Sequence, residues 1–345
     1  MKAVYIQEQG DIDVLTYGDR PEPVISPTDV KVRVHACSLN RLDLYTRAGV
    51  RGMKLNLTQP LILGGDTSGE VTEVGELVTE VKSGDRVLVN PRLNCGQCSY
   101  CLSGQDGFCR KAGMLGTAAD GGYAEFLKVP GINVLPIPDS LSYENAAALP
   151  TVFMPCWSIL IRRGNVKPWE TVLVLSSSSG VGTAAIQVAK NVIGARVIAT
   201  TSTQEKAKDA IALGADEVII YTQEDIEERV KELTGRQGVD AVVDHVGADF
   251  YDKAFASLKI GGRYGICGVT TGYKAQLHMG AMFTKQVSVF GVFMGNKEDL
   301  REIVEMAGRS IISGTVHKTF SLAEAAEAHK AMEEHNFSGK LVLTV

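Results

Sequence analysis

Four cysteines close together carry the plainest chemistry in this chain. Cys95, Cys98, Cys101 and Cys109 form C-x2-C-x2-C-x7-C, interleaved with Gly96, Gly104 and Gly107. Thiolates at this spacing can wrap one tetrahedral zinc, and the glycines permit the sharp turns that aim the sulfurs inward. Four protein ligands leave no open coordination position, so such a zinc is structural, one per chain. An iron–sulfur cluster would also accept four thiolates, and a pair of disulfides is the other alternative, disfavoured without a secretory signal. Cys37, Cys156 and Cys267 lie in apolar surroundings and read as small buried hydrophobes.

The second constellation is residues 171–190. An apolar, β-branched run, 171–175, reads as a buried parallel strand, and helical spacing of apolar residues resumes at Val181. A strand, a tight turn and a helix start make an anion cradle, because free N–H groups face a phosphate there. Ser177 and Ser179 stand where the dinucleotide fingerprint G-x-G-x-x-G has its first two glycines, and Gly180 and Gly182 remain. Ser179, Gly180, Val181 and Gly182 are therefore the candidate phosphate contacts. The next strand ends Thr200-Thr201-Ser202 with no carboxylate to oppose a 2′-phosphate, and Ser202 with Lys206 can receive one, which favours NADP.

Two textures must position these groups. Up to about residue 151 the chain is β-rich, with short runs at 30–35, 69–74 and 86–89 cut by Gly, Pro and Asp. From 171 to about 291 strands and helices alternate. Candidate strands are 171–175, 196–200, 217–220, 240–244, 263–266 and 287–291, with helices near 180–193, 204–213, 224–234 and 249–259. Six strands with crossover helices describe a doubly wound parallel sheet. The tail offers helices at 297–306 and 322–334 and a strand at 340–345.

A chain of 345 residues is long for one core, so two domains are expected. Net charge −5 supplies no basic surplus, which argues against nucleic acid as the main partner. No stretch reaches membrane-span length, and Met1-Lys2-Ala3-Val4-Tyr5 runs straight into a strand pattern. A cytoplasmic protein with a small-molecule substrate, and no membrane partner, is the expectation.

A four-cysteine lobe within a β domain, followed by a nucleotide-binding domain, resembles the medium-chain dehydrogenase/reductase superfamily over nearly the whole chain. The resemblance implies an α/β protein in two parts. The GroES-like catalytic domain would take residues 1–151 and 294–345, with the zinc lobe at about 92–112. The Rossmann domain would take 152–293. Zinc alcohol dehydrogenases hold a catalytic zinc with a Cys in a G-I-C-x-x-D segment, a His in a G-H-E-x-x-G segment and a later Cys or acid. Here Asn40 stands in the Cys position, Gly65 in the His position, and the third falls near Thr151. An amide and a hydrogen atom are not zinc ligands, and Asp66 alone cannot hold the metal. Cys37, three residues from Asn40 on a strand, faces the opposite side and is no substitute.

The segment 39–49, Leu-Asn-Arg-Leu-Asp-Leu-Tyr-Thr-Arg-Ala-Gly, is instead similar to the quinone oxidoreductase branch, which lacks catalytic zinc and reduces quinones or conjugated carbonyls with NADPH. This likeness implies Asn40 and Tyr45 beside the nicotinamide, either able to donate to a developing enolate, with Tyr45 or a water supplying the proton and Asp43 orienting its neighbours. It also implies Tyr221 at the 2′-phosphate, Val246 and Gly268 along the ribose and nicotinamide, and His245 packed beside the ribose. The expected function is NADPH-dependent reduction of an electron-poor C=C bond or quinone. The alternative is an alcohol dehydrogenase with unusual ligands. A homodimer or homotetramer joined through the sixth strand is implied as well.

Overall fold

The computed structural model describes all residues, Met1–Val345, and the chain divides into two compact units. The first joins Met1–Thr151 to Asn296–Val345, and the second is Val152–Gly295. None of the helices is long and apolar enough to cross a membrane.

The first unit is built around the strand Asp29–Ser38. Its alternate residues Val30, Val32 and Val34 point into one core with Val71, Val87, Leu127 and Val129, as the two-residue period of a strand requires. Asp29–Ser38 pairs antiparallel with Asp66–Val74 on one side, while Phe126–Pro130 pairs with its first half and Lys340–Thr344 with its last residues. The register sets Ser38 opposite both Asp66 and Val342. Leu39 N–H then donates to Leu341 C=O at 2.9 Å. Three segments distant in sequence thus converge where Asp29–Ser38 ends and the helix Arg41–Ala48 begins.

The second unit is a six-stranded parallel sheet. Its order is Glu217–Ile220, Arg196–Thr201, Thr171–Val174, Val239–Asp244, Leu258–Ile266 and Ser288–Gly291. Counted along the chain this is 3-2-1-4-5-6, the doubly wound dinucleotide-binding order. Val172, Leu173, Val174, Val242 and Val243 are fully buried, as strands covered on both faces must be.

The largest boundary departures from the pattern reading lie between residues 256 and 263. The helix expected to run to 259 ends at Ala256, and the strand expected from 263 begins at Leu258. Gly261, at φ 76°, and Gly262 interrupt that strand, and the register with Val239–Asp244 slips by a bulge between Val239 and Ala241. A bulge hides the strand's period from the sequence. The helix expected at 180–193 is α-helical only over Gly180–Gln187, and Val188–Ile193 continues it with π-type hydrogen bonds to Gly194, at φ 83°.

Candidate active site and zinc lobe

Asn40 is the N-cap of Arg41–Ala48, with extended backbone at φ −131° and ψ 157°. Its N–H donates to Asp43 Oδ2 at 2.7 Å, one arm of a capping box. Its side chain is held from two sides: Nδ2 donates to Asp66 Oδ2 at 2.9 Å, and Oδ1 accepts from Lys340 Nζ at 2.5 Å. Lys340 also donates to Leu39 C=O at 2.6 Å and lies 3.9 Å from Asp66 Oδ2. Thr151 completes the cluster, its hydroxyl donating to Asp66 Oδ1 at 2.7 Å and its N–H to Oδ2 at 3.3 Å.

Asn40, Asp43, Asp66 and Lys340 are all buried, Asp66 to 0% and Lys340 to 3% exposure. A charge taken so far from water stays only when paired and hydrogen-bonded. Burial raises the Asp66 carboxyl against the opposing Lys340 ammonium, and lowers Lys340 against Asp66 and Asp43. Burial also pushes Asp43 up to about 7, despite the Asn40 and Gly64 N–H groups it accepts.

A second buried chain leads to Asp43. Arg47 Nη1 lies 3.3 Å from His329 Nδ1, and His329 Nε2 lies 3.3 Å from Tyr123 Oη, which is hydrogen-bonded to Asp43. Arginine only donates, so Nδ1 is the acceptor and the ring proton sits on Nε2, directed at Tyr123. Burial and Arg47 hold the His329 pKa at about 3, so the ring is neutral.

Tyr45 stands half-buried on the same helix, its ring centroid 5.3 Å from the Arg51 guanidinium carbon, with Arg41 as a hydrogen-bond partner. Cys37 is fully buried in the core, its sulfur 3.5 Å from Thr67 Oγ1.

The four lobe cysteines converge. Sγ–Sγ distances are 3.5 Å for Cys98–Cys101, 3.6 Å for Cys95–Cys109 and 3.9 Å for Cys95–Cys101. A tetrahedral zinc with Zn–S bonds of about 2.3 Å sets its sulfurs about 3.8 Å apart, so the quartet fits one ion. A cluster with several irons between the sulfurs would spread them, and a disulfide would need about 2.05 Å. All four thiols are free. Gly96 and Gly104, both at φ 72°, make the turns. Backbone N–H groups of Gln97 and Cys98 lower the Cys95 thiol to about 6, which favours the thiolate a metal needs. Asp106 ties the lobe to the helix Lys297–Gly308 by accepting Lys297 N–H at 3.0 Å.

In the second unit the turn after Thr171–Val174 is locked from within. Ser179 caps Gly180–Gln187 by accepting Gly182 N–H at 2.9 Å, and donates to Ser176 C=O at 2.9 Å. His245 Nε2 lies 3.0 Å from Leu175 C=O and 2.9 Å from Ser179 Oγ, so His245 braces the turn. The Ser179 side chain is spent inside the turn, and the first-turn N–H groups of Gly180 and Val181 have no intrahelical partner, the arrangement an anion site needs. Ser176, at φ 50°, is the left-handed residue, one position before the serine matched to the first fingerprint glycine. A Cβ on Gly182 would lie 2.2 Å from Ser176 C=O. Gly182→Ala is therefore expected to destabilise the protein by about 3 kcal/mol, read as a lowered urea midpoint; an unchanged midpoint would mean that the turn relaxes freely.

Ser202, Lys206 and Tyr221 share one edge of this sheet. Ser202 C=O accepts from Thr222 Oγ1 at 2.9 Å, Tyr221 N–H donates to Thr201 C=O at 3.0 Å, and Lys206 lies in the first turn of Gln204–Ala212. The Tyr221 ring packs edge-on against Phe250, centroids 4.9 Å apart. Asp244 Oδ1 accepts the N–H groups of Val246 and Gly247 at 2.7 and 2.9 Å, and a Cβ on Gly268 would meet His245 C=O at 2.7 Å. The Asp244 carboxylate thus closes the turn after its strand, and Gly268 packs against His245 where a side chain would not fit.

Comparison with known proteins agrees with this geometry. Residues 26–139 match the alcohol dehydrogenase GroES-like domain, and residues 180–309 match the zinc-binding dehydrogenase family. The NAD-dependent alcohol dehydrogenase of Sulfolobus acidocaldarius is 32% identical over 100% of both chains. The chain belongs to the medium-chain dehydrogenase/reductase superfamily. The acryloyl-coenzyme A reductase of Metallosphaera sedula is 31% identical, again over 100% of each chain. A crystal structure of an NAD-dependent alcohol dehydrogenase is 40% identical and superposes with a TM-score of 0.95 over 100% of both chains.

Within this medium-chain dehydrogenase/reductase, Asn40, Asp66 and Thr151 meet, and Asp43 adjoins Asn40. One expectation needs correction. The resemblance has Asn40 offering its amide N–H groups to substrate, but it gives Nδ2 to Asp66, with Ser38 C=O a further 3.5 Å contact, and Oδ1 to Lys340. Lys340, Tyr123, His329 and Arg47 escape a reading of the sequence. A lysine in a closing strand pattern and a histidine in an amphipathic helix carry no local mark of a site; only the strand register reveals Lys340.

Proposed function

We propose that this chain is an NADPH-dependent reductase that places hydride on the β carbon of an electron-poor C=C bond, in an enone, enoyl thioester or quinone, without a catalytic metal. The observation that carries the reading is the polar cluster at the superfamily's catalytic-zinc position. Asn40 and Gly65 stand in the places of the first two ligands and Thr151 in that of the third, while Asp66 is committed to Asn40, Thr151 and Lys340 and Asp43 to the Asn40 N–H. Alcohol oxidation by zinc members needs a metal charge to steady the alkoxide. Enone reduction sends charge to a carbonyl oxygen that neutral donors can stabilise. The resemblance to an acryloyl-coenzyme A reductase supports this class, since acryloyl is a C=C bond conjugated to a carbonyl.

Bound at the turn after Thr171–Val174, the reduced nicotinamide cofactor would supply the hydride. The protein's part is to hold the anionic pyrophosphate on Gly180 and Val181 N–H, and to donate from the Tyr45 phenol toward the developing enolate. Asp43 fixes the start of Arg41–Ala48 and so the placing of Tyr45. One zinc would be held by Cys95, Cys98, Cys101 and Cys109 as structure. We also propose a homodimer through Ser288–Gly291, the edge strand of its sheet, where Phe283 and Phe293 are exposed.

NADPH preference rests on Ser202, Lys206 and Tyr221 and on the lack of an acid ending Arg196–Thr201. The NAD dependence named for the S. acidocaldarius relative weighs the other way. Lys206→Ala is expected to raise the KM for NADPH by about tenfold or more and leave that for NADH nearly unchanged. Equal constants for the two cofactors in the unmodified enzyme would remove the preference.

The alcohol dehydrogenase reading is favoured by the names of that relative and of the 40% identical structure. Steady-state NADPH oxidation with enones, quinones and acryloyl thioesters, set beside NADP reduction with primary alcohols, separates the two. Turnover of the unsaturated carbonyls alone is expected. Robust alcohol oxidation with no activity on them would reject the proposal, and no turnover in either direction would point to a cofactor-binding scaffold.

A further inference from the structure

Lys340 has no part in the chemistry above, yet its ammonium is buried to 3% exposure at the centre of the polar cluster. An ammonium there must be explained by what it holds, because solvent gives it nothing. If Lys340 served only to neutralise Asp66, its shortest contact would be to that carboxylate. Instead Nζ is 2.5 Å from Asn40 Oδ1 and 2.6 Å from Leu39 C=O, and 3.9 Å from Asp66 Oδ2. Its hydrogen bonds go to the two residues that precede Arg41–Ala48.

The orientation of the Asn40 amide follows. An ammonium can only donate and a carboxylate can only accept, so Oδ1 must face Lys340 and Nδ2 must face Asp66. Asp66 is pinned in turn by the Thr151 hydroxyl and N–H. Lys340 arrives from a strand whose position is fixed by Leu39 N–H to Leu341 C=O at 2.9 Å.

We infer that Lys340 is a positioning residue: a buried cation that holds Asn40 Oδ1 and Leu39 C=O, and so fixes Asn40 and through it the helix start that aims Tyr45. The inference rests on the reading of Tyr45 as the proton donor in enone reduction.

Its test compares the unmodified enzyme with Lys340→Met and with Lys340→Met/Asp66→Asn. The double variant removes the opposed Lys340 and Asp66 charges together, so it keeps the test decisive if the single variant fails to fold. The double variant is expected to melt close to the unmodified enzyme and still to lose about tenfold to a hundredfold in kcat for enone reduction, with the KM for NADPH within about twofold. Amide hydrogen exchange over residues 41–45 should be faster in both folded variants. Recovery of kcat by the double variant to within about twofold would reduce Lys340 to charge balance and overturn the inference. So would unchanged exchange over 41–45, a readout that needs no turnover. Absence of enone turnover in the unmodified enzyme would instead strike the proposed function, and the exchange comparison would still decide the role of Lys340.

Discussion

Cys101→Ser is expected to empty the four-cysteine lobe of zinc and open it to proteolysis, while the parallel sheet of Val152–Gly295 stays folded. The lobe has almost no apolar core of its own: Leu102 is 76% exposed and Phe108 58%. In the proposed reading zinc takes the role of that missing core, and binding energy at such a site is folding energy. A serine hydroxyl does not ionise near neutral pH, so the variant offers three thiolates where four converge. Zinc affinity should fall by at least about a hundredfold, measured by competition with a chelator. Limited proteolysis should then cut within residues 95–112, where the unmodified protein resists. Full zinc retention under chelator, with an unchanged cleavage pattern, would show that the lobe does not depend on its metal.

Tyr45→Phe is the second large effect. The Tyr45 phenol sits on a helix whose start is fixed by the Asn40–Asp43 cap, and it has Arg41 and Arg51 beside it. A positioned general acid contributes about a hundredfold or more to rate, so kcat for enone reduction should drop by roughly that amount. The KM for NADPH should move little, because the groups proposed to hold its phosphates, Gly180, Val181, Ser202, Lys206 and Tyr221, are untouched. A Tyr45→Phe enzyme with full kcat would leave Tyr45 as a wall of the site and hand proton delivery to water. Since Asn40 gives its amide to Asp66 and Lys340, Tyr45 is the stronger of the two candidate donors.

Much of this is legible in the residues because it is local. The strands Arg86–Val89 and Glu217–Ile220 have the bounds their β-branched runs suggest. The cysteine quartet is readable because its ligands lie within fifteen residues and its glycines mark the turns. The nucleotide turn is less plainly marked, since a serine, Ser176, takes a left-handed position that usually advertises itself as glycine. What stays hidden depends on long-range register. Lys340 meets Asn40 across 300 positions, and His329 meets Tyr123 across 206. No periodicity of the local chain records such a meeting. The strand beginning at Leu258 is hidden for a different reason, the bulge near Gly261 and Gly262.

Metal stoichiometry, measured on a preparation whose enone turnover is known, bears most directly on reduction without a catalytic metal. Elemental analysis should return one zinc per chain in fully active enzyme, accounted for by Cys95, Cys98, Cys101 and Cys109. Two zincs per chain, with turnover lost in step with the second, would place a metal at Asn40 and Asp66 and contradict the reading.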